Sequence, residues 1–479
     1  MDPMTLTRRG FLKTCAAGAL VGAGGIRFAF GAPGPGSLDG DVLVVVYLRG
    51  GIDGLNLVVP LDGDDRGHYE AARPNLAIAT AGAYGALPLT TAGGTASGFG
   101  LHPSASGLRD IWLEQDMAIV HACGLSTVVS RSHFDAQLYT ELGTPGQTGT
   151  GEGWMSRAWQ TDPTHSAESI MPALAVGSNT PNSLLGSSDA LTMASPTDFA
   201  LNRGAWSWQR IRPDSPAGLR GFNEVLADQW TGASALEQAG ARAHLALTTV
   251  ETLGYTATLP TGFPTSNFAR QLWTIAQSIQ FGMGLRYAAV DVGGWDTHDG
   301  QGSAGSGYHY YQNRIAEISQ ALAAFHEVLH ASGHMGRVTV VLQSEFGRRV
   351  RENGNRGTDH GYGNPLLVIG GAVNGRRFFG DWPGLDPEVL SPTFGDIPVT
   401  TDSRRVLAEI LQVRMGHAGT TSVFPGLPPA PALGIVHPGG APVAPDVRMP
   451  GSAAGRVGRT AVQPTPSPAD APGGRSSLR

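Results

Sequence analysis

The sequence predicts an α/β protein with a parallel sheet covered on both faces, and three observations point there. Residues 41–56, DVLVVVYLRGGIDGLN, are a β-branched run that breaks into a glycine turn bearing Asp53. An apolar run of this kind reads as a strand buried on both faces. The segment LRYAAVDVGGWDTHDG repeats the arrangement and ends in Asp296 and His298, and RVTVVLQSEFGRR repeats it again with Glu345. Open α/β sheets bind ligands beyond the carboxyl ends of such strands, so the three segments predict one polar site assembled from distant parts of the chain.

Ahead of the sheet, paired Arg8 and Arg9 precede a mildly apolar, glycine-rich stretch, 14–25, and small residues near Gly31. This pattern predicts a twin-arginine export signal over residues 1–31 and a periplasmic or secreted destination. A short anchoring helix is the weaker alternative, because the stretch is too short to span a bilayer, and no other segment is long enough to cross one. Cys15 lies within the signal, which leaves Cys123 as a single thiol and no internal disulfide. A formal net charge of -6 gives no basic footprint, so no nucleic-acid partner is expected. Charged residues at 15% and hydrophobic ones at 41% fit a globular chain with a sizeable core.

Along the chain, residues 41–59 read as a strand, a turn and a second short apolar segment, and 67–107 as surface loops. Leu108, Ile111 and Trp112 recur at helical spacing, and 117–121 reads as a strand. In SRSHFDAQLY, Ser132 is a good N-cap and Asp135 suits the positive end of the helix dipole. Residues 152–159 continue helical, 173–176 form a brief strand, and 182–264 are weakly patterned, which predicts a helical or loop insertion. Helices over 268–281 and 310–330 then alternate with strands over 287–292, 338–342 and 365–369, the pattern of a parallel sheet. From Pro428 the composition turns to proline, alanine, glycine and serine, so the folded domain is expected to end near Leu433 and 434–479 to be disordered.

The residues that carry chemistry each have a plainer alternative. Asp296 and His298 in GGWDTHDG can turn to one ion if the glycines let the backbone curl; alone, they read as a capping aspartate beside a surface histidine. Asp359 and His360 in GTDHGYGNP offer an oxygen and a nitrogen ligand, or a ligand and the carboxylate that orients it, or simply a polar turn. Glu345 follows its strand directly, where a carboxylate serves more often as ligand or base than as loop charge. Together with Asp53 these residues predict a divalent metal site of one or two ions, Zn, Mn or Fe for the mixed set and Mg or Ca for an all-oxygen set. Ser132, at a helix N-terminus, is the candidate nucleophile, with Arg131 to clamp an anionic oxygen; a plain N-cap is the competing reading. His133 and Asp135 follow too closely to form a hydrolase triad, and no G-x-S-x-G elbow occurs. Arg348, Arg349 and Arg351 bind a substrate anion or form a solvated face. His326, His330 and His334 recur every four residues, as a metal stripe or, the favoured reading, a polar helix face.

Four signatures, LRGGIDGLN, SRSHFDAQ, DVGGWDTHDGQ, and SEFGRR with GTDHGYGNP, make the sequence resemble the twin-arginine-exported bacterial family called domain of unknown function 1501, itself similar to the alkaline phosphatase and sulfatase superfamily. The resemblance covers about residues 41–433. It implies a three-layer α/β/α sandwich with a two-metal site that hydrolyses phosphate or sulfate esters through a metal-activated hydroxyl. Position by position it implies metal contacts for Asp53, Asp296, His298, Glu345 and His360, with Asp359 as ligand or orienting group and Ser132 as nucleophile. Where the superfamily has aspartate followed by histidine, this chain has Glu345 followed by Phe346, so one imidazole is missing. The reading is therefore an exported metal-dependent hydrolase acting on a small anionic ester. The alternatives are a non-catalytic binding or assembly protein that keeps the fold, and a phosphomutase or transferase sharing the site.

Overall fold

A computed structural model describes residues 40–165, 169–194, 226–253, 255–393 and 395–438. The expected export signal and residues 439–479 of the expected tail lie outside the described residues.

The central sheet contains β1 (Val42–Leu48), β2 (Met117–Gly124), β3 (Ala173–Val176), β4 (Ala190–Met193), β5 (Tyr287–Val292), β6 (Val338–Gln343), β7 (Asn364–Ile369), β8 (Arg377–Phe379) and β9 (Thr401–Asp402). Their order is β8-β2-β7-β6-β1-β5-β3-β4, with β9 also on β2. The predicted first strand sits in the middle, parallel to β5 and to β6. All pairings are parallel except those of β7 with β2 and β6. The segment 365–369 was expected to run with the others and runs against them. Between β6 and β7 lies only the hairpin of Arg348–Glu352 with Thr358–His360. With no crossover helix to carry it back, the chain returns antiparallel.

Alternation along β1 sets up two cores. Val42, Val44, Val46 and Leu48 pack on one face with the helices Ser106–Leu113, Asn267–Gln280 and Tyr310–Ala331, through Leu108, Leu272, Ile318 and their neighbours. Leu43 and Val45 face the other way, toward the helices Trp154–Gln160 and Ser403–Val413, through Trp159, Val406 and Ile410. Successive strand side chains point to opposite faces, so an all-apolar strand must be covered twice. Burial of each such side chain contributes roughly 1.5–3 kcal/mol. The result is a three-layer α/β/α sandwich around a mostly parallel sheet, as expected.

Three segments depart from expectation. Residues 67–107 are largely loop, as expected, but not wholly: Leu87–Thr90 and Ala96–Leu101 join Val58–Pro60 in a small antiparallel sheet. Within 182–264, Ala190–Met193 is the edge strand of the main sheet and Ala235–Leu253 a helix, so this stretch is not wholly an insertion. The fold also continues past Leu433. Ile435 is fully buried, and the Glu409 carboxylate accepts the backbone N–H groups of Leu433, Gly434, Ile435 and Val436. The proline-rich composition hid these apolar residues. Among the described residues no helix is long and apolar enough to cross a membrane.

Candidate metal centre

The loops after β1, β5 and β6 meet beyond the carboxyl ends of these strands. The closeness of the first two is set by Gly50, at φ +118°, where a Cβ would lie 2.4 Å from the backbone nitrogen of Asp296. Arg348, 2% exposed, ties the loops together. It donates to the carbonyls of Gly50, Gly51 (2.6 Å), Trp295 (3.1 Å) and Thr358 (2.7 Å), and to Asp296 Oδ1 (2.6 Å). The sequence offered this arginine to a substrate or to solvent. In the fold it is an internal strut.

Asp296 Oδ1 is the hub. It lies 3.1 Å from His298 Nε2, 3.2 Å from His360 Nε2 and 3.4 Å from His133 Nε2. A tetrahedral ion with bonds of about 2.1 Å holds its ligands about 3.4 Å apart, and His133, Asp296 and His360 each present a ligand atom within 4.8 Å of the other two. The other ring nitrogens are occupied. His360 Nδ1 donates to the Arg131 carbonyl at 2.7 Å, His298 Nδ1 to Asp359 at 3.2 Å, and His133 Nδ1 to Glu345 at 2.8 Å. Carbonyls and ionised carboxylates only accept, so the neutral rings carry their protons on Nδ1 and turn bare Nε2 atoms inward. His298 Nε2 and His360 Nε2 stand 2.8 Å apart, where two lone pairs repel unless a proton or metal ion lies between them. His133 Nε2 is buried with no hydrogen-bond partner.

The charges agree with this arrangement. Burial would raise the Asp296 carboxyl, but Arg348, then His360 and His298, hold it down at about 2. Burial, partly opposed by the Arg131 carbonyl, pushes His360 down to about 4, so its ring is neutral at physiological pH. Burial would lower His133, yet its bond to Glu345 and the charges of Glu345 and Asp296 raise it. A position that favours a second proton on His133 also favours a cation.

The predicted residues divide into two groups. Asp296, His298 and His360 come together with ligand atoms inward, and Asp359 orients His298, itself held by Asn353 at 3.0 Å. Glu345 does not point its oxygens into the cluster. Its Oε1 accepts from Gly50 N, Gln137 Nε2 and His133 Nδ1, each at 2.8 Å, which makes it the group that orients His133. Asp53 stands apart. Its carboxylate is fully buried between Arg73, bidentate at 2.6 and 2.9 Å, and Gln301 at 2.6 Å, so both oxygens are engaged by the scaffold. The turn after β1 thus supplies close backbone packing, and the expected ligand serves the scaffold.

Sequence reasoning passed over His133 as a ligand, since it weighed this residue only as a triad member. Phe346, the residue after Glu345, packs against the rings of His133 and His360 at 4.9 and 4.7 Å. The one signal for His133 was its place beside Ser132 at a helix start. Ser132 itself caps the helix His133–Leu142, accepting from Asp135 N at 3.5 Å. Arg131 extends to the His360 carbonyl (3.2 Å) and toward the buried Asp396 (3.7 Å), whose carboxyl burial raises to about 6.

Residues 238–418 match the family described as "Protein of unknown function (DUF1501)". The matched span holds Asp296, His298, Glu345, Asp359 and His360, and leaves Asp53 and residues 131–133 outside. None of the curated proteins matches the chain. Solved structures similar to it include Ps i-CgsB in complex with k-i-k-neocarrahexaose, at 8% identity and TM-score 0.35, over 79% of this chain and 72% of that one. PsFucS1 sulfatase from Pseudoalteromonas sp. is similar at 9% identity and TM-score 0.29, over 71% of this chain and 64% of that one. Phosphonate monoester hydrolase of Agrobacterium radiobacter is similar at 10% identity and TM-score 0.29, over 81% and 78%. What the site can do follows from its own atoms.

Proposed function

We propose that the chain is an exported, metal-dependent hydrolase of a phosphate or sulfate ester. The observation that carries the reading is the convergence of three imidazole Nε2 atoms on Asp296 Oδ1, with each Nδ1 turned outward to a fixed acceptor. His133, Asp296, His298 and His360 would hold a divalent ion, and three nitrogens with one oxygen suit Zn best among the candidates. Such an ion, when bound, supplies electrostatic stabilisation to negative charge that develops on ester oxygens.

The chain's own groups would do the rest. Ser132 lies in sequence between Arg131, whose carbonyl fixes His360, and His133, and its hydroxyl caps a helix N-terminus, a place that favours anions. Its attack on phosphorus or sulfur would release the alcohol and leave a serine ester, which one water then cleaves. Phe134, 88% exposed beside these residues, would offer an apolar face to the organic part of the substrate.

The test is elemental analysis of the purified chain together with an aryl phosphate and aryl sulfate assay. The expected result is bound divalent metal and turnover that collapses in Ser132→Ala. Metal-loaded protein inert to a broad ester panel would overturn the hydrolase reading. A second reading, a secreted binding or assembly protein without turnover, draws on the engagement of Ser132 as a helix cap and of Arg131 with Asp396. It predicts bound metal, no hydrolysis, and a Ser132→Ala variant with unchanged partner affinity.

A further inference from the structure

A second group of ligand-type side chains lies at the opposite rim of the sheet. Asp116 immediately precedes β2, which runs in the same direction as β1, β5 and β6, so it sits at the amino ends of the strands. His326 and His330 stand one turn apart near the end of the helix Tyr310–Ala331. The first turn of this helix touches the metal-centre loops through Tyr311, which donates to the Asp53 carbonyl at 2.5 Å. Nineteen residues at about 1.5 Å each put His330 roughly 28 Å farther along.

The geometry points to a second divalent cation site, of the zinc type, formed by Asp116 Oδ2 and the Nε2 atoms of His326 and His330, with Glu114 facing the outer nitrogen of His326. His326 Nε2 and His330 Nε2 each lie 2.8 Å from the same oxygen, Asp116 Oδ2. The remaining nitrogen of His326 faces Glu114 at 3.5 Å, and Glu114, His326 and His330 each present a ligand atom within 4.8 Å of the others. The sequence favoured a plain polar face here; the fold turns two of its three histidines onto two carboxylates of another segment.

The backbone holds the carboxylates in place. Gln115, between them, is left-handed at φ +67°, a conformation that a non-glycine residue keeps only when its surroundings enforce it. They do: the Asp116 carbonyl accepts Gly370 N at 2.8 Å, and a Cβ at Gly375 would lie 1.8 Å from the Gln115 carbonyl oxygen. This conformation fixes the course of the backbone into Asp116. The floor is closed and the rim open, with the His326 side chain 5% exposed and those of His330 and Glu114 54% and 60%, so an ion can enter from solvent. Two nitrogens and a carboxylate oxygen, with solvent completing the shell, form a borderline set that suits Zn²⁺ over Mg²⁺ or Ca²⁺. A cation there would pin the helix that reaches the first site to the segment leading into β2. The proposal stands whether or not the first site turns over an ester.

The experiment uses the full chain with His298→Ala and His360→Ala, which disables the first centre, stripped with a chelator and titrated with zinc chloride by calorimetry. One zinc per chain is expected, with a rise in Tm. Adding His330→Ala, an exposed change that leaves the core intact, should weaken binding by about a hundredfold or more, beyond the usual effect of losing an orienting partner. It should also abolish the zinc-induced rise in Tm. Circular dichroism checks that each variant is folded. If the first-site variant shows no zinc binding, or binding that both His330→Ala and Asp116→Asn leave unchanged, Asp116 is only a proton acceptor for two histidines and the site does not exist.

Discussion

One oxygen, Asp296 Oδ1, faces three imidazoles and a guanidinium, and each imidazole is aimed by an acceptor of its own. The aim of His133 rests on Glu345, whose carboxyl burial would raise but whose bonds to His133 and Gln137 lower. Glu345→Gln keeps the shape and removes the charge, so metal affinity measured by chelator competition should fall about ten- to a hundredfold. Unchanged affinity would remove Glu345 from this role. At a second residue the expectation concerns acid. His121 stacks on Phe378 at 4.9 Å, and burial pushes its imidazole from 6.5 down to about 3. The unfolded chain therefore binds one more proton than the folded chain between these values. Stability should fall, by up to about 1.4 kcal/mol per pH unit, as pH drops through that window. His121→Phe should flatten the change in urea midpoint between pH 7 and about pH 4.5. Equal slopes in both proteins would contradict the assignment.

Elements position the site through turns that tolerate no bulk. Gly50→Ala would press a methyl onto the backbone of the Asp296 loop, whereas Gly300, at φ +54°, has open space around its missing Cβ. Gly50→Ala should cost about 2 kcal/mol or more and weaken metal binding, while Gly300→Ala should carry only the smaller cost of its dihedral, about 1 kcal/mol. Equal loss in both, with metal binding intact in Gly50→Ala, would mean that the turn does not set the ligand geometry. The strands and turns themselves were legible, because a β-branched run ending in glycines has few other readings. Their carboxylates were not all legible. Asp296 is fixed largely by its own loop, but Asp53 is decided by Arg73 and Gln301, the latter 248 positions away. Glu345 looked like a ligand from its own strand and became an orienting group because the helix His133–Leu142 arrives beside it. The direction of β7 depended on the absence of a helix after Glu345.

At the scale of the molecule, a parallel sheet has two unlike rims, and each carries a cluster of carboxylate and imidazole. The carboxyl rim collects loops from β1, β5 and β6 with the helix start at His133, the place where open α/β sheets bind ligands. The spacing of the histidines in THDG and TDHG hinted at that rim. His133 did not stand out, because one histidine at a helix start says nothing of what faces it. Export through the twin-arginine route, expected from Arg8 and Arg9, should be abolished by replacing both with lysine, read as loss of the chain from a periplasmic fraction. The central claim is that His133, Asp296, His298 and His360 share one cation. An anomalous difference map at the zinc edge, from crystals grown with zinc, tests it most directly. A peak about 2.0–2.2 Å from three Nε2 atoms and Asp296 Oδ1 is predicted, and zinc-supplied crystals with no peak among these four side chains would contradict it.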